Sequence, residues 1–146
     1  MAAEVDKRIT AFIRRHHVLT LATSGGEGIW CSNIFYAYDP GRNRFVFTSD
    51  DHTRHVRQAA EEGRVAASVV LESRVVGRLQ GLQITGRLRR AEDDEERARK
   101  IYLKRFPYAA LAELHLWILD PEHFKFTDNT LGFGKKLYWN AEDGER

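Results

Sequence analysis

Short segments with the composition of β-strands follow one another along most of the chain, and only short turns separate the first of them. Three such segments occupy residues 18–23 (VLTLAT), 29–38 (IWCSNIFYAY) and 44–49 (RFVFTS). Runs of β-branched and aromatic residues are typical of strands, and the Gly and Pro residues between these runs mark turns. Connections this short leave no room for the crossover helices that parallel strands need. The sequence therefore predicts an antiparallel sheet.

The second half of the chain continues the pattern. Residues 64–72 (RVAASVVLE) are apolar almost throughout, which predicts a strand buried on both faces. Residues 79–90 (LQGLQITGRLRR) alternate between apolar and polar side chains and predict a long fifth strand. The segments 114–119 (LHLWIL) and 123–128 (HFKFTD) predict a sixth strand, or a bulged pair divided at Pro121.

Three helices are predicted between and before these strands, over residues 4–15, 53–62 and 92–106. In the first, Val5, Ile9 and Phe12 form one apolar stripe. With 146 residues the chain has the length of one ordinary domain. We therefore expect a single domain over residues 1–146, mainly β, that closes as a six-stranded antiparallel barrel with flanking helices. The C-terminal tail, about residues 131–146, is too aromatic and basic for a linker, and we expect it to dock on the barrel.

Charge and composition exclude several classes of function. The chain has 23 Lys+Arg and 21 Asp+Glu residues, a surplus too small for binding nucleic acid by phosphate neutralisation. No apolar run approaches the roughly 20 residues of a membrane helix, so no membrane partner is expected. The single cysteine, Cys31, cannot form an intrachain disulfide, and the first residues (MAAEVDKRIT) do not resemble a signal peptide. A cytoplasmic protein is the expectation.

The segment FTSDDHTRHV, residues 47–56, is the strongest candidate for a binding site. A predicted strand ends there, and a helix begins near Thr53, Arg54 and His55. Free N–H groups at a helix start, together with a hydroxyl and a guanidinium, can bind an anion. The alternative is that Thr53 only caps the helix while Arg54 and His55 are solvated.

Other chemistries are less well supported by the sequence. His52 and His55 supply only two possible ligands, so we predict no metal site. No basic residue lies at a spacing that would activate Cys31, which is interpreted as a buried, inert thiol. Lys135 and Lys136 follow a Gly-Phe-Gly sequence that lacks the spacing of a phosphate-binding loop, so a surface role and a ligand role both stay open for them.

The order of these segments resembles the pyridoxamine 5'-phosphate oxidase-like split barrels. The similarity lies in VLTLAT, FYAYD, RFVFTS, TRH and GLQITGRL, and it extends over nearly the whole chain. Residues 105–107 (RFP) and 126–136 (FTDNTLGFGKK) are similar to the small YhbP-like branch of these proteins. The resemblance implies a six-stranded split barrel that forms a homodimer. It also implies two sites for flavin mononucleotide (FMN) between the subunits, and a small-molecule substrate.

The resemblance also implies roles for individual residues. Phe47-Thr48, followed by Ser49, and Thr53-Arg54-His55 match the positions that hold the flavin phosphate in the oxidases. Asn33 and Gln83 are expected to reach polar edges of the flavin ring. Apart from the resemblance, Lys135 and Lys136 are candidates to supply cations from the tail, within one protomer or across the dimer.

Three positions depart from the family pattern. Cys31 and Tyr36 stand where the oxidases carry an arginine and a lysine, and His55 replaces the last basic residue of a Ser-Arg-Lys triplet. Loss of these cations weakens a site for a dianion. Two functions therefore follow from the sequence: an FMN-dependent oxidoreductase without an identified catalytic acid or base, or a non-enzymatic module that has lost FMN. Such a module would bind another phosphorylated or planar ligand such as haem.

Overall fold

A computed structural model describes residues 4–142 and contains eight strands and three α-helices in that range. The strands are β1 (Val18–Gly25), β2 (Gly28–Phe35), β3 (Ala37–Asp39), β4 (Arg44–Thr48), β5 (Arg64–Leu71), β6 (Gln80–Arg90), β7 (Leu116–Asp128) and β8 (Lys136–Asn140). The helices are α1 (Lys7–Arg15), α2 (Arg54–Glu61) and α3 (Glu95–Arg105).

The strands form one antiparallel sheet in the order β2-β1-β5-β6-β7-β4-β3, and β8 pairs with the remaining part of β7. Only Tyr36 separates β2 from β3, so a single residue connects the two ends of this order. The sheet therefore curls on itself, with the apolar face of the strands inside and the helices outside. This confirms the predicted class, an antiparallel β-barrel with flanking helices.

The predicted number of six strands is wrong, because the second strand divides and the tail adds another. At Tyr36 the chain leaves β1 and begins to pair with β4. The backbone N–H of Tyr36 donates to the carbonyl of His17 at 2.9 Å, and its hydroxyl donates to the carbonyl of Ile13 at 2.6 Å. Buried aromatic contacts with Phe45 complete this bend. The eighth strand is β8, paired along the second half of β7.

Pro121 does not divide β7, because it lies at a β-bulge. The register between β6 and β7 shifts at Thr85/Gly86, and Gly86 pairs with Pro121. Pro has no N–H to donate, and a bulge is one of the few places in a sheet that tolerate it. A Cβ on Gly86 would lie 2.9 Å from the Cα of Pro121 and closer still to the carbonyl oxygen of Asp120. Glycine at position 86 therefore allows the two strands to approach at the bulge.

Helix α1 and strand β8 cover parts of the barrel. The side chain of Asp6 accepts the backbone N–H of Arg8 at 2.8 Å and begins α1. Hydrogen bonds from Arg8 lower the pKa of Asp6 to about 2. Phe12 then packs on Phe126 with ring centres 5.0 Å apart, and Trp139 of β8 packs on Phe124 at the same distance. Residues 143–146 of the predicted docking tail lie outside the described residues.

Strand β5 is buried on one face only, which corrects the prediction of burial on both. Val65, Ala67 and Val69 point into the barrel, whereas Ala66 and Val70 are exposed. The apolar sequence predicted burial on both faces because alanine and valine are apolar whether their side chains point into the barrel or outward. The outward face of β5 and its neighbours is therefore a surface of small side chains.

Candidate functional site

Three side chains of the predicted anion segment come together where β4 ends and α2 begins. The Nε2 atom of His55 lies 2.8 Å from the hydroxyl of Ser49 and 3.4 Å from that of Thr53. All three side chains are half-buried. We call Ser49, Thr53 and His55 the α2 cluster.

Thr48 and Phe47 precede this cluster and have different roles. The hydroxyl oxygen of Thr48 accepts the backbone N–H of His115 at 2.9 Å, and Ser49 donates its own N–H to the carbonyl of His115 at 3.1 Å. Since the oxygen of Thr48 serves as an acceptor, its O–H remains available to a ligand. Phe47 is fully buried opposite Trp117 of β7, so it packs in the core.

The start of α2 carries no side-chain cap, so the alternative role of Thr53 as a simple cap is not observed. The Thr53 hydroxyl donates to the carbonyl of Asp50 at 2.8 Å instead. Helix starts leave backbone N–H groups unpaired and carry the positive end of the helix dipole. Burial lowers the pKa of His55, so its imidazole is neutral near pH 7. The α2 cluster thus carries little charge of its own, and the donors that it leaves for a ligand come from the Ser49–His55 pair and the backbone N–H groups at the start of α2.

Arg54, the cation of this segment, points toward the β1–β2 hairpin. Its guanidinium carbon lies 4.4 Å from the ring centre of Trp30, and its Nη2 donates to the carbonyl of Glu27 at 2.9 Å. Its Nε is buried without a hydrogen-bond acceptor and lies 3.8 Å from the Glu27 carboxylate. Arg54 therefore retains an unused donor at the start of α2.

Asn33 and Gln83 lie on the outer face of the barrel, in one row that crosses the strands. Register pairs Asn33 with Thr20, Thr20 with Ser68, Ser68 with Gln83, and Gln83 with Lys125. The next row contains Cys31, Ala22, Ala66, Thr85 and His123. These two rows border a concavity of about 450 Å³, which we call the outer groove. Its volume is in the range of small-molecule sites.

The outer groove combines a flat floor with polar groups at one side. Ala22 and Ala66 leave its centre free of large side chains. His123 donates from Nδ1 to the Oδ1 of Asn140 at 2.6 Å, and its ring stacks on Tyr138 with centres 6.2 Å apart. Sequence reasoning missed Lys125 and His123. The signal was the alternation in residues 123–126, where buried Phe124 and Phe126 predict that the polar residues face outward.

The structure does not bring the tail lysines to the α2 cluster within one protomer. Lys136 pairs with Thr127, whereas Thr48 pairs with Leu116 at the other end of β7. At about 3.3 Å per residue these positions are roughly 35 Å apart. The Nζ of Lys136 donates to the carbonyl of Gly134 at 2.9 Å.

The two positions where the oxidases are basic have different surroundings. The prediction that Cys31 is buried is wrong: β2 stands at the end of the strand order, and the Cys31 side chain is exposed at the edge of the outer groove. Tyr36 is fully buried, and burial raises the pKa of its hydroxyl, which stays protonated and bonded to Ile13. Tyr36 is therefore a structural residue and supplies no charge to a ligand.

The geometry also bears on two other chemistries, nucleophilic catalysis and metal binding. Ser49 and His55 have the spacing of a nucleophile and its base, but among residues 4–142 no group accepts a hydrogen bond from Nδ1 of His55 to orient it. In the same part of the chain, no three His, Cys, Asp or Glu side chains are grouped to hold a metal ion. No helix in this range is long and apolar enough to cross a membrane.

Comparison with known sequences places these features in a family. A family model described as pyridoxamine 5'-phosphate oxidase matches residues 5–128. A UPF0306 protein of Klebsiella pneumoniae subsp. pneumoniae is 41% identical over 137 residues, which are 93% of each chain. The UPF0306 protein YhbP of Escherichia coli O157:H7 is 36% identical over the same share of both chains.

Solved structures share the fold. A haem binding protein from Mycobacterium smegmatis aligns with a TM-score of 0.72 and 24% identity, over 86% of this chain and 53% of that one. The present chain thus spans about half the length of that protein. An FAD-binding protein from Mesorhizobium loti aligns with a TM-score of 0.63 and 13% identity, over 86% of this chain and 95% of that one.

Proposed function

The chain belongs to the pyridoxamine 5'-phosphate oxidase family, and we propose that it binds FMN between two copies of itself and acts as a small flavin-dependent oxidoreductase. The observation that carries the proposal is the α2 cluster at the uncapped start of α2. Thr53 already donates to Asp50, so the donors suited to a phosphate come from the Ser49–His55 pair and the unpaired backbone N–H groups beside it. The family model covers the strand and helix that form this cluster.

The residues present fit FMN by their donor chemistry. The phosphate would be held by the Ser49–His55 pair, the backbone N–H groups at the start of α2 and the O–H of Thr48, with the guanidinium of Arg54 as the neighbouring positive charge. Asn33 and Gln83 would present amide groups to polar edges of the ring. When bound, FMN supplies the hydride or electron chemistry at its N5 atom. The protein orients the ring and limits access of water to it.

The outer face supports the homodimer in this proposal. Val18 and Phe35 pair across β1 and β2, and they are 41% and 56% exposed. Val70 of β5 is 58% exposed on the same face. Exposed apolar groups of this kind mark interaction surfaces. A second copy on this face would bury the outer side of β5, as the apolar sequence of residues 64–72 predicts.

The proposal is tested by titrating the apoprotein with FMN and with riboflavin, which has the same ring but no phosphate. Quenching of flavin fluorescence measures both affinities. We expect FMN to bind with a dissociation constant in the micromolar range or below, and riboflavin to bind at least tenfold more weakly. Absence of FMN binding would refute the proposal, and equal affinities would refute the role of the α2 cluster. Reduction of the bound FMN by a nicotinamide cofactor then tests oxidoreductase activity.

A second candidate function, binding of haem by a module that lacks FMN, is favoured by one observation in the outer groove. Because Nδ1 of His123 donates to Asn140, the tautomer leaves Nε2 as a free acceptor. Metal-bound histidines usually have their second ring nitrogen fixed in this way. Titration with haemin distinguishes the candidates: a Soret band that the His123→Ala variant loses supports haem. Binding of FMN alone excludes it.

A further inference from the structure

A cavity of about 470 Å³ lies between α1, α3 and the turn that joins β3 to β4. None of its lining residues belongs to the α2 cluster or the outer groove. Its walls are formed by Arg14 of α1, by residues 97–105 of α3, and by residues 37–41 at the turn. Its volume is in the range of ligand sites.

Positive charge dominates this cavity. Four cations line it, and Asp39 is its one carboxylate: the cations are Arg14, Arg97, Lys104 and Arg105. This surplus of positive charge is a local feature of the cavity, since the whole chain has nearly equal numbers of acidic and basic residues. Like charges this close repel one another, and a bound anion removes that repulsion.

Two of the four cations are fixed in position. Arg97 donates from Nε and Nη2 to the two carboxylate oxygens of Asp39, at 2.7 and 2.9 Å. Arg105 donates to the carbonyls of Arg14 and His16, at 2.9 and 2.6 Å, and so binds the end of α1. Since a guanidinium has five N–H donors, both side chains retain donors for a ligand. A Cβ on Gly41 would lie 3.0 Å from Nη2 of Arg97, so glycine leaves room for this arrangement.

The side chains of the other two cations, Arg14 and Lys104, have no hydrogen-bond or ion-pair partner within residues 4–142. The floor of the cavity is apolar, with buried Ala37 and partly buried Ile101, whereas the ring of Tyr38 packs on Phe45 in the barrel core. The hydroxyl of Tyr38 donates to Asn43, and burial raises its pKa, so it adds no negative charge. The cavity thus offers cations at its mouth and an uncharged surface below.

We infer that this cavity binds a small phosphorylated molecule whose uncharged, ring-sized part rests on Ala37 and Ile101. Arg97 and Arg105 are oriented by their existing hydrogen bonds to contact the phosphate, and Arg14 and Lys104 complete the binding site around it. Arginine forks match phosphate oxygens, and lysine adds a mobile charge. The site is separate from the proposed flavin site and does not depend on it.

The test uses phenyl phosphate as the probe, titrated into full-length protein by calorimetry in low salt. The double variant Arg14→Ala/Lys104→Ala removes the two unpaired cations. The matched control, Arg99→Ala/Lys100→Ala, removes one arginine and one lysine from the exposed side of α3. We expect binding to weaken at least tenfold in the first variant and less than twofold in the control. Equal weakening in both, or absence of binding to the unmodified protein, overturns the inference.

Two further titrations test which class of ligand binds and whether it binds in this cavity. Inorganic phosphate is expected to bind more weakly than phenyl phosphate, and equal affinity would refute the role of Ala37 and Ile101. Saturation with FMN is expected to leave the affinity for phenyl phosphate unchanged, whereas competition would show that both ligands occupy one site. Thermal unfolding of each variant verifies that it is folded. Because FMN titration of the same variants is a separate readout, failure here and failure of the flavin proposal are distinguishable.

Discussion

The imidazole Nε2 of His55 lies 2.8 Å from the hydroxyl oxygen of Ser49, at the point where β4 gives way to α2. The pair is half-buried, and burial lowers the pKa of His55. This contact links the residue that follows β4 to the first turn of α2 at the proposed phosphate site. It also makes the site sensitive to acid.

We expect His55 to make the free protein less stable in mild acid. Its folded pKa lies below the value of about 6.5 in unfolded chains, so the unfolded state takes up a proton first as the pH falls. The stability is fully present above about pH 6.5 and declines as the pH falls through the lowered folded pKa. Urea unfolding at pH 5 to 8 should show this decline in the native protein and a smaller one in His55→Gln. Parallel curves would contradict it. His16, whose pKa burial also lowers, is present in both proteins.

Arg54→Ala should lower the affinity for FMN by tenfold or more. The change removes the cation and the unused Nε donor at the start of α2, and a hydrogen bond to a charged group contributes roughly 1.5–3 kcal/mol. Arg57→Ala is the matched control, because Arg57 also contacts Glu27, at 3.4 Å, but is more exposed. Fluorescence titration should show less than a twofold change in the control. Similar losses in both variants would assign the effect to the hairpin contact with Glu27.

Val70→Asp should convert the proposed dimer into monomers and weaken FMN binding with it. Burying an unpaired carboxylate in an apolar interface is costly, whereas the side chain is 58% exposed in one protomer and can tolerate the charge there. Leu111→Asp places the same charge at a residue that is 99% exposed. Light scattering on both variants measures the mass. A dimeric Val70→Asp protein would show that the outer face of β5 is not the interface.

Gly86→Ala should destabilise the fold by about 1–3 kcal/mol, the usual range for overpacking. The new methyl group would meet backbone atoms of Asp120 and Pro121, which cannot rotate away as a side chain can. Gly26→Ala is the control, because a Cβ there has no neighbour within 4 Å. Denaturant unfolding of the two variants makes the comparison. Equal stabilities would mean that the bulge between β6 and β7 relaxes without cost.

Asp39→Asn should reduce stability at neutral pH by about 1–2 kcal/mol, a modest amount because its partner Arg97 is partly exposed. Hydrogen bonds from Arg97 lower the pKa of Asp39 below its ordinary value. The stabilisation is therefore present above about pH 4 and is lost as the pH falls through the lowered folded pKa. Unfolding measured at pH 7 and pH 3 should show the difference between native and variant protein shrinking in acid. A constant difference would show that packing, and not charge, determines the effect.

Much of the local structure was predictable from sequence. Strand β1 and helix α2 begin and end within two residues of the prediction, since alternation and turn residues are local signals. The meeting of Ser49, Thr53 and His55 was predictable for the same reason, because a strand end and the following helix start are close in the chain. The direction of Arg54 was not, because Trp30 and Glu27, which attract it, lie on another hairpin.

The sequence by itself determined the class of fold, the family and the residues at the start of α2, because those depend on local pattern and on motifs along the chain. Only the tertiary structure decided that Tyr36 bends a strand, that Gln83 and Lys125 share a row with Asn33, and that the tail lysines lie far from Thr48. Strand register sets these placements, and register results from packing between segments distant in sequence. The cation-lined cavity has the same origin, since α1 and α3, which line it, are distant in the sequence.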